Sequence, residues 1–158
     1  MERWRQAGSS GVEVIGMLKR NSYFDASRQK NIAATPEESV RQEVVVFLKN
    51  VVQVPAHLIE TEFALCHIDS KVSGRVDILV HDFREGKTIG EPWLLVECKR
   101  PGVSAPEALL LQVNRYLKTL SPKYVMLALG ESSLFLKRKP DGKGYVRVRE
   151  LPQYPSNG

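Results

Sequence analysis

The sequence predicts an α/β domain: a mixed central sheet flanked by helices, in the order helix, three strands, helix, strand, with a C-terminal hairpin. Three observations predict it. Thr35-Pro36-Glu37-Glu38 and, later, Ser104 with Glu107 are capping signals, and each opens an apolar repeat of helical spacing. Short β-branched and aromatic runs bounded by turn residues lie between them. Tyr124 to Leu129 is a near-continuous apolar run suited to a central strand.

The first helix is anchored at its start: Thr35 can cap, Pro36 suits the first helical position and Glu38 can reach back to the cap. Val40, Val44, Phe47, Leu48 and Val51 then mark its buried face. Gln53 to Pro55 breaks the helix. Leu58 to Leu65 alternates as a strand, with Ile59, Thr61, Phe63 and Leu65 on one face. Val76 to Val80 and Trp93 to Lys99 read as the strands of a hairpin, and Arg100-Pro101-Gly102 stops the second one. The second helix runs to about Leu120 and buries Leu109, Val113, Leu117 and Leu120. Leu134 to Lys137 and Tyr145 to Val148, joined through Pro140-Asp141-Gly142, form the terminal hairpin.

With 158 residues, the chain suits one domain whose core needs no staples. Residues 1–34 read as an extension packed on the core through Tyr23, Phe24 and Ile32, with a short helix or strand at Val12 to Lys19 and no assigned chemistry. Residues 35–150 form the domain, and 151–158 are expected to be a loose tail. No run is apolar enough to span a membrane, and Met1-Glu2-Arg3-Trp4-Arg5 lacks the core of a secretory signal, so a cytoplasmic protein is expected. Cys66 and Cys98, both on predicted strands, read as reduced core residues, and His57, His67 and His81 show no zinc spacing with them.

A net charge of +5 suits a polyanionic partner and equally a solvated basic face. Lys137, Arg138, Lys139, Lys143, Arg147 and Arg149 carry much of it, with Arg3, Arg5, Lys19, Arg20, Arg28 and Lys30 before the first helix.

The chemistry-bearing stretch is the predicted central hairpin. Alternation puts Trp93, Leu95, Glu97 and Lys99 on one face of its second strand and Leu94, Val96 and Cys98 on the other. Asp77 shares a face with Leu79, opposite Val76, Ile78 and Val80. If Asp77 lies across from Glu97, two carboxylates and an ammonium meet beside an apolar wall, where an unpaired charge is expensive. A divalent metal resolves that conflict, since Mg²⁺ needs only one or two carboxylates and keeps several of its own waters. The competing reading is a partly buried structural ion pair. Glu43, on the edge of the first helix's apolar stripe, suits either a further ligand or a solvated helix surface. Gln112 and Tyr116 stand one turn apart on the second helix, as substrate-side groups, as a brace for Lys99 or as the polar edge of a packed helix.

Thr35-Pro36-Glu37-Glu38-Ser39-Val40-Arg41-Gln42, Arg75-Val76-Asp77-Ile78, Val96-Glu97-Cys98-Lys99-Arg100-Pro101, and then Gln112 and Tyr116, in this order, resemble the PD-(D/E)xK nuclease superfamily. More narrowly, they resemble the N-terminal nuclease domain of type I restriction enzyme R subunits. The resemblance covers about residues 35 to 137 and implies a restriction-endonuclease-like core and Mg²⁺-dependent cleavage of DNA, with Mn²⁺ as the substitute ion, in restriction or DNA repair. It implies Asp77, Glu97 and the main-chain carbonyl of Cys98 as metal ligands, Lys99 as the catalytic lysine and Glu43 as the helix acid. It also implies Gln112 and Tyr116 as groups supporting the site and contacting DNA. Val76 stands where the superfamily name has Pro, and Leu129-Gly130 replaces an expected Asn-Gly. The chain contains no Gly-x-x-x-x-Gly-Lys-Ser/Thr loop, so ATP-powered cleavage calls for a helicase, translocase or specificity partner, or a longer parent polypeptide. The rival expectations are a non-catalytic nucleic-acid-binding or assembly module that keeps the fold, and a structural protein with an ion-pair cluster.

Overall fold

Helix α1 (Pro36–Asn50) starts where the capping signal puts it: Thr35 Oγ1 accepts a 3.1 Å bond from the Glu38 N–H, Pro36 occupies the first turn, and Glu37 and Glu38 sit at its positive end. The computed structural model describes residues 22–25, 27–82, 91–99 and 106–155, with the backbone alone for 106–108. The predicted Val12 to Lys19 element, the Arg100 to Gly102 strand stop and the Ser104 cap lie outside the described residues. The capping box at α1 is only half formed. The Glu38 carboxylate accepts from Arg28 at 2.8 Å, Gln42 at 3.2 Å and Arg41 at 3.5 Å, while the Thr35 N–H donates to Ala33 O. The guanidiniums of Arg28 and Arg41 outcompete the neutral Thr35 N–H because they add the attraction of a full positive charge to the hydrogen bond.

Before α1, β1 (Ser22–Asp25) and β2 (Lys30–Ala33) form an antiparallel hairpin. Phe24, expected to anchor this segment, is 60% exposed. The anchor is polar instead. Asp25 is buried and accepts from the Arg28 N–H and guanidinium and from Thr61 Oγ1, and Tyr23 Oη lies 3.0 Å from Ser39 Oγ.

Among the described residues the main sheet has six strands in the order β3 (Ile59–Ala64), β4 (Arg75–Val80), β5 (Leu94–Cys98), β6 (Tyr124–Ala128), β7 (Ser133–Arg138) and β8 (Tyr145–Val148). Only β5 and β6 run parallel, and helix α2 (Pro106–Tyr116) lies between them in the chain, as a parallel crossover requires. Val44, Phe47 and Leu48 of α1 cover one face with Ile78, Val96 and Met126. Leu109, Val113, Tyr116 and Leu120 pack with Leu79, Leu95 and Leu127 in the second core cluster. No helix among the described residues is long and apolar enough to cross a membrane.

The simple alternation expected for β3 and β4 breaks at one position. Thr61 pairs with Ile78 and Phe63 with Val76, but Glu62 and Asp77 between them do not pair, and Glu62 has a left-handed φ of 55°. Ile59 therefore packs in the α1 cluster while Phe63 and Leu65 join the other, and Val76 parts from Ile78 and Val80. A non-glycine residue held there costs on the order of 1–3 kcal/mol, a strain that concentrates at functional sites.

Trp93 precedes β5 and packs in the α1 cluster, not on the face of Leu95 as alternation suggested. Its partner is the expected loose tail. Tyr154 is buried with its ring edge-on to Trp93 at 4.9 Å, its N–H donates to Val52 O and its hydroxyl donates to His81 O. Cys66 falls on a short 3₁₀ turn and is exposed, whereas Cys98 is buried as expected.

Candidate active site

The site forms where two strands part. β4 and β5 pair at Ile78 with Val96, Leu79 with Leu95 and Val80 with Leu94, and the next facing positions in that register are Asp77 and Glu97. At that point the main-chain ladder gives way to a side chain: the Cys98 N–H donates a 2.7 Å bond to Asp77 Oδ2. The N–H and C=O of one strand residue point to the same edge, so the Cys98 carbonyl is aimed into the same gap.

Asp77 Oδ1 accepts from Arg41 Nη2 at 3.1 Å, reaching across from α1. The Arg41 guanidinium is buried, with Nη1 2.7 Å from Glu62 and 3.5 Å from Glu38. Burial alone would lower its pKa, but Asp77, Glu38 and Glu62 together raise it. Arg28 clamps Glu38 from the N-terminal hairpin and is itself held by Asp25. A chain of charge therefore runs from Asp25 through Arg28, Glu38 and Arg41 to Asp77.

Glu97 is only 2% exposed, and its Oε2 is buried without a hydrogen-bond partner. Burial, then the hydrogen bond and charge of adjacent Asp77, push its carboxyl up to about 9, with Lys99 pulling the other way. Two carboxylates side by side with one oxygen lacking any donor is an arrangement short of positive charge. Lys99 follows β5 directly, is half-buried and is tied to β6 by its N–H on Ala128 O.

Tyr116 stands beside Glu97 from α2. Its hydroxyl donates to Arg75 O at 3.0 Å and accepts from Gln112 Nε2 at 2.8 Å, so the pair braces the start of β4. Burial, followed by the Glu97 charge, raises the Tyr116 pKa, which keeps the phenol a neutral donor.

The structure thus brings together Asp77, Glu97, Cys98, Lys99, Gln112 and Tyr116. Glu43 is half-buried, two residues and about 200° around α1 from Arg41. The helix side that meets Asp77 carries Arg41 and Glu38 instead. Reasoning from sequence missed both, together with Glu62, Arg28 and Asp25. A signal was present: Arg41 sits between Val40 and Val44 on the buried side of α1 and lies one turn from Glu38. The basic cluster also lies elsewhere. Lys137 pairs with Tyr124, at the end of the sheet away from Glu97, and Arg138 is engaged with Ser121 O and Oγ.

The donor set fits a divalent ion of the Mg²⁺ kind. Asp77, Glu97 with its bare oxygen and the Cys98 carbonyl offer hard oxygen ligands, and such an ion completes its shell with water. Among the described residues no group of three or more His, Cys, Asp or Glu side chains converges for a metal, so the protein side of the shell is small.

No curated protein matches the chain. A family model does: that of the type I restriction enzyme R protein N terminus, which aligns with residues 36–152 and spans α1, the whole main sheet and the site between β4 and β5. The match extends over most of the chain, and the chain belongs to this family of restriction-enzyme R-subunit N-terminal domains, part of the PD-(D/E)xK nuclease-like group.

Proposed function

We propose that this chain is a Mg²⁺-dependent phosphodiesterase that cuts DNA, built on a restriction-endonuclease-like core. Asp77, Glu97 and the Cys98 carbonyl are its metal-holding groups and Lys99 its catalytic lysine. The observation that carries the reading is the buried pairing of Asp77 with Glu97 at the point where β4 and β5 part, with Lys99 one step beyond. The order of helices and strands supports it, as does a family drawn from restriction-enzyme R subunits, which are nucleases.

A dication held there supplies Lewis-acid stabilisation of charge on the scissile phosphate. The chain's own residues do the rest. Lys99 holds an ammonium where negative charge grows on the phosphate, a group already in place before reaction. Arg41 and the Cys98 N–H fix both oxygens of Asp77. Gln112 and Tyr116 fix the strand that presents Asp77. Basic residues outside the site hold the DNA backbone without reading its sequence. The domain works in a restriction-enzyme complex, with movement along DNA supplied by a helicase or translocase partner.

Plasmid nicking across Mg²⁺ and Mn²⁺ tests the reading. Lys99→Ala and Asp77→Asn are expected to lose at least about a hundredfold in rate while keeping the far-ultraviolet circular dichroism of the wild type. Undiminished cleavage by both variants refutes it.

A further inference from the structure

We propose that Arg41 is a built-in counter-cation of this site: it holds Asp77 from the α1 side and takes the charge-balancing place of a second metal. The site then takes one divalent ion per chain, on the Glu97 side of Asp77. The inference rests on the metal site of the preceding section and adds its stoichiometry and the residue that sets it.

The first support is charge. Among the described residues, the connected network holds five carboxylates, Asp25, Glu38, Glu62, Asp77 and Glu97, against three cations, Arg28, Arg41 and Lys99. With Glu97 ionised, as it is when an ion replaces its proton, the formal excess is two negative charges, the charge of one divalent ion. A second dication would leave the buried cluster positive, which is costly where water is scarce.

The second support is geometry. Arg41 is 5% exposed, and its fork is committed to Glu62 on one side and Asp77 on the other. When Asp77 turns its remaining lone pairs to a metal, Arg41 keeps Glu62 and Glu38 and is not left unpaired. Each Asp77 oxygen already accepts one hydrogen bond, whereas Glu97 Oε2 accepts none, so the open ligand position lies on the Glu97 side. Space is not what excludes a second ion. A cavity of about 400 Å³ opens beside Arg41 and is lined by Arg28, Glu37, Glu38 and Glu62 among others. The two guanidiniums stand where its carboxylates would otherwise attract a cation.

Arg41 is therefore a positioning residue, and the hairpin at residues 22–33, ahead of the family-matched region, serves the site. Asp25 holds Arg28, Arg28 holds Glu38, and Glu38 holds the helix side of Arg41.

Calorimetric titration of the full chain with MnCl₂, in parallel with plasmid nicking, tests this. The wild type is expected to bind one ion. Arg41→Ala is expected to bind that ion at least about tenfold more tightly, because a unit charge a few Å from a dication has been removed, and to take up a second. Arg41→Lys, which keeps the charge, is expected to stay at one. Should Arg41→Ala fail to fold, Glu62→Gln serves: it halves the formal charge excess and is expected to weaken the single ion at least about fivefold. Two ions on the wild type, weaker binding by Arg41→Ala or unchanged affinity in Glu62→Gln overturns the proposal. One ion bound without any cleavage sinks the nuclease reading and leaves this one standing. No Mn²⁺ binding by the wild type sinks both.

Discussion

The backbone N–H of Cys98 donates a 2.7 Å hydrogen bond to Asp77 Oδ2, so a carboxylate takes the place of a main-chain acceptor between β4 and β5. Cys98 lies between Glu97 and Lys99, and this one bond therefore ties the position of Asp77 to both.

Asp77→Ala removes that acceptor and strips Arg41 of a partner. The expected cost is about 3–5 kcal/mol, the range for breaking one side of a buried ion pair. Asp77→Asn keeps an acceptor and is expected to cost about 1–3 kcal/mol. Urea denaturation of the two variants checks the order, and equal losses would show that the Cys98 bond carries no load.

Glu97 predicts a stability that depends on pH. Its carboxyl is pushed up from 4.5 to about 9, so between these values the folded chain keeps a proton that the unfolded chain has shed. The contribution is therefore fully present below about pH 4.5 and is lost as pH rises toward about 9. The metal-free melting temperature of the wild type is expected to fall from pH 5 to pH 8 relative to that of Glu97→Gln. Saturating Mn²⁺ should remove the difference in slope, because the ion replaces the proton. Parallel curves for the two metal-free proteins would contradict the assignment.

Tyr116→Phe loses the bonds to Arg75 O and from Gln112 while keeping the ring. A loss of about 1 kcal/mol is expected, together with slower cleavage at unchanged DNA affinity, because the hydroxyl steadies β4 and does not grip substrate. A nitrocellulose-filter binding curve beside a nicking time course separates the two effects.

The end of the chain is a further test. Tyr154→Ala is expected to cost about 3 kcal/mol or more, since it removes the ring against Trp93 and leaves the His81 carbonyl unpaired. Tryptophan emission in a Trp4→Phe background, which leaves Trp93 as the sole indole, reports it directly, and an unshifted spectrum with unchanged stability would rule it out.

These particulars show what could be read in advance. The capping signal at Thr35, the apolar stripe of α1 and the strand runs were legible because each rests on neighbours within one turn or one strand. The placement of Asp77 across from Glu97 was legible only as a condition, because the sequence leaves the register of β4 on β5 open and the structure sets it. The left-handed residue at Glu62 was not legible, nor was the break in pairing between Glu62 and Asp77, past which Phe63 and its partner Val76 lie together on the other face. Glu38 was read as a capping residue and Arg28 as one of the basic residues before the first helix, and Arg41 stood only within the family motif. Arg41 on the buried side of α1, one turn from Glu38, was a local sign, but its link to Asp77, 36 residues on, and that of Arg28 to Glu38, 10 residues on, join different elements and leave no local pattern. Tyr154 escaped for the same reason, because so short a tail has no periodicity to reveal what it packs on.

Asp77 and Glu97 are proposed to share one divalent ion beside Lys99, and anomalous diffraction from crystals soaked in MnCl₂ tests this. A single peak is expected within ligand distance of Asp77, Glu97 and the Cys98 carbonyl. A crystal with ordered Asp77 and Glu97 side chains and no peak between them, or with its only peak elsewhere, would contradict it.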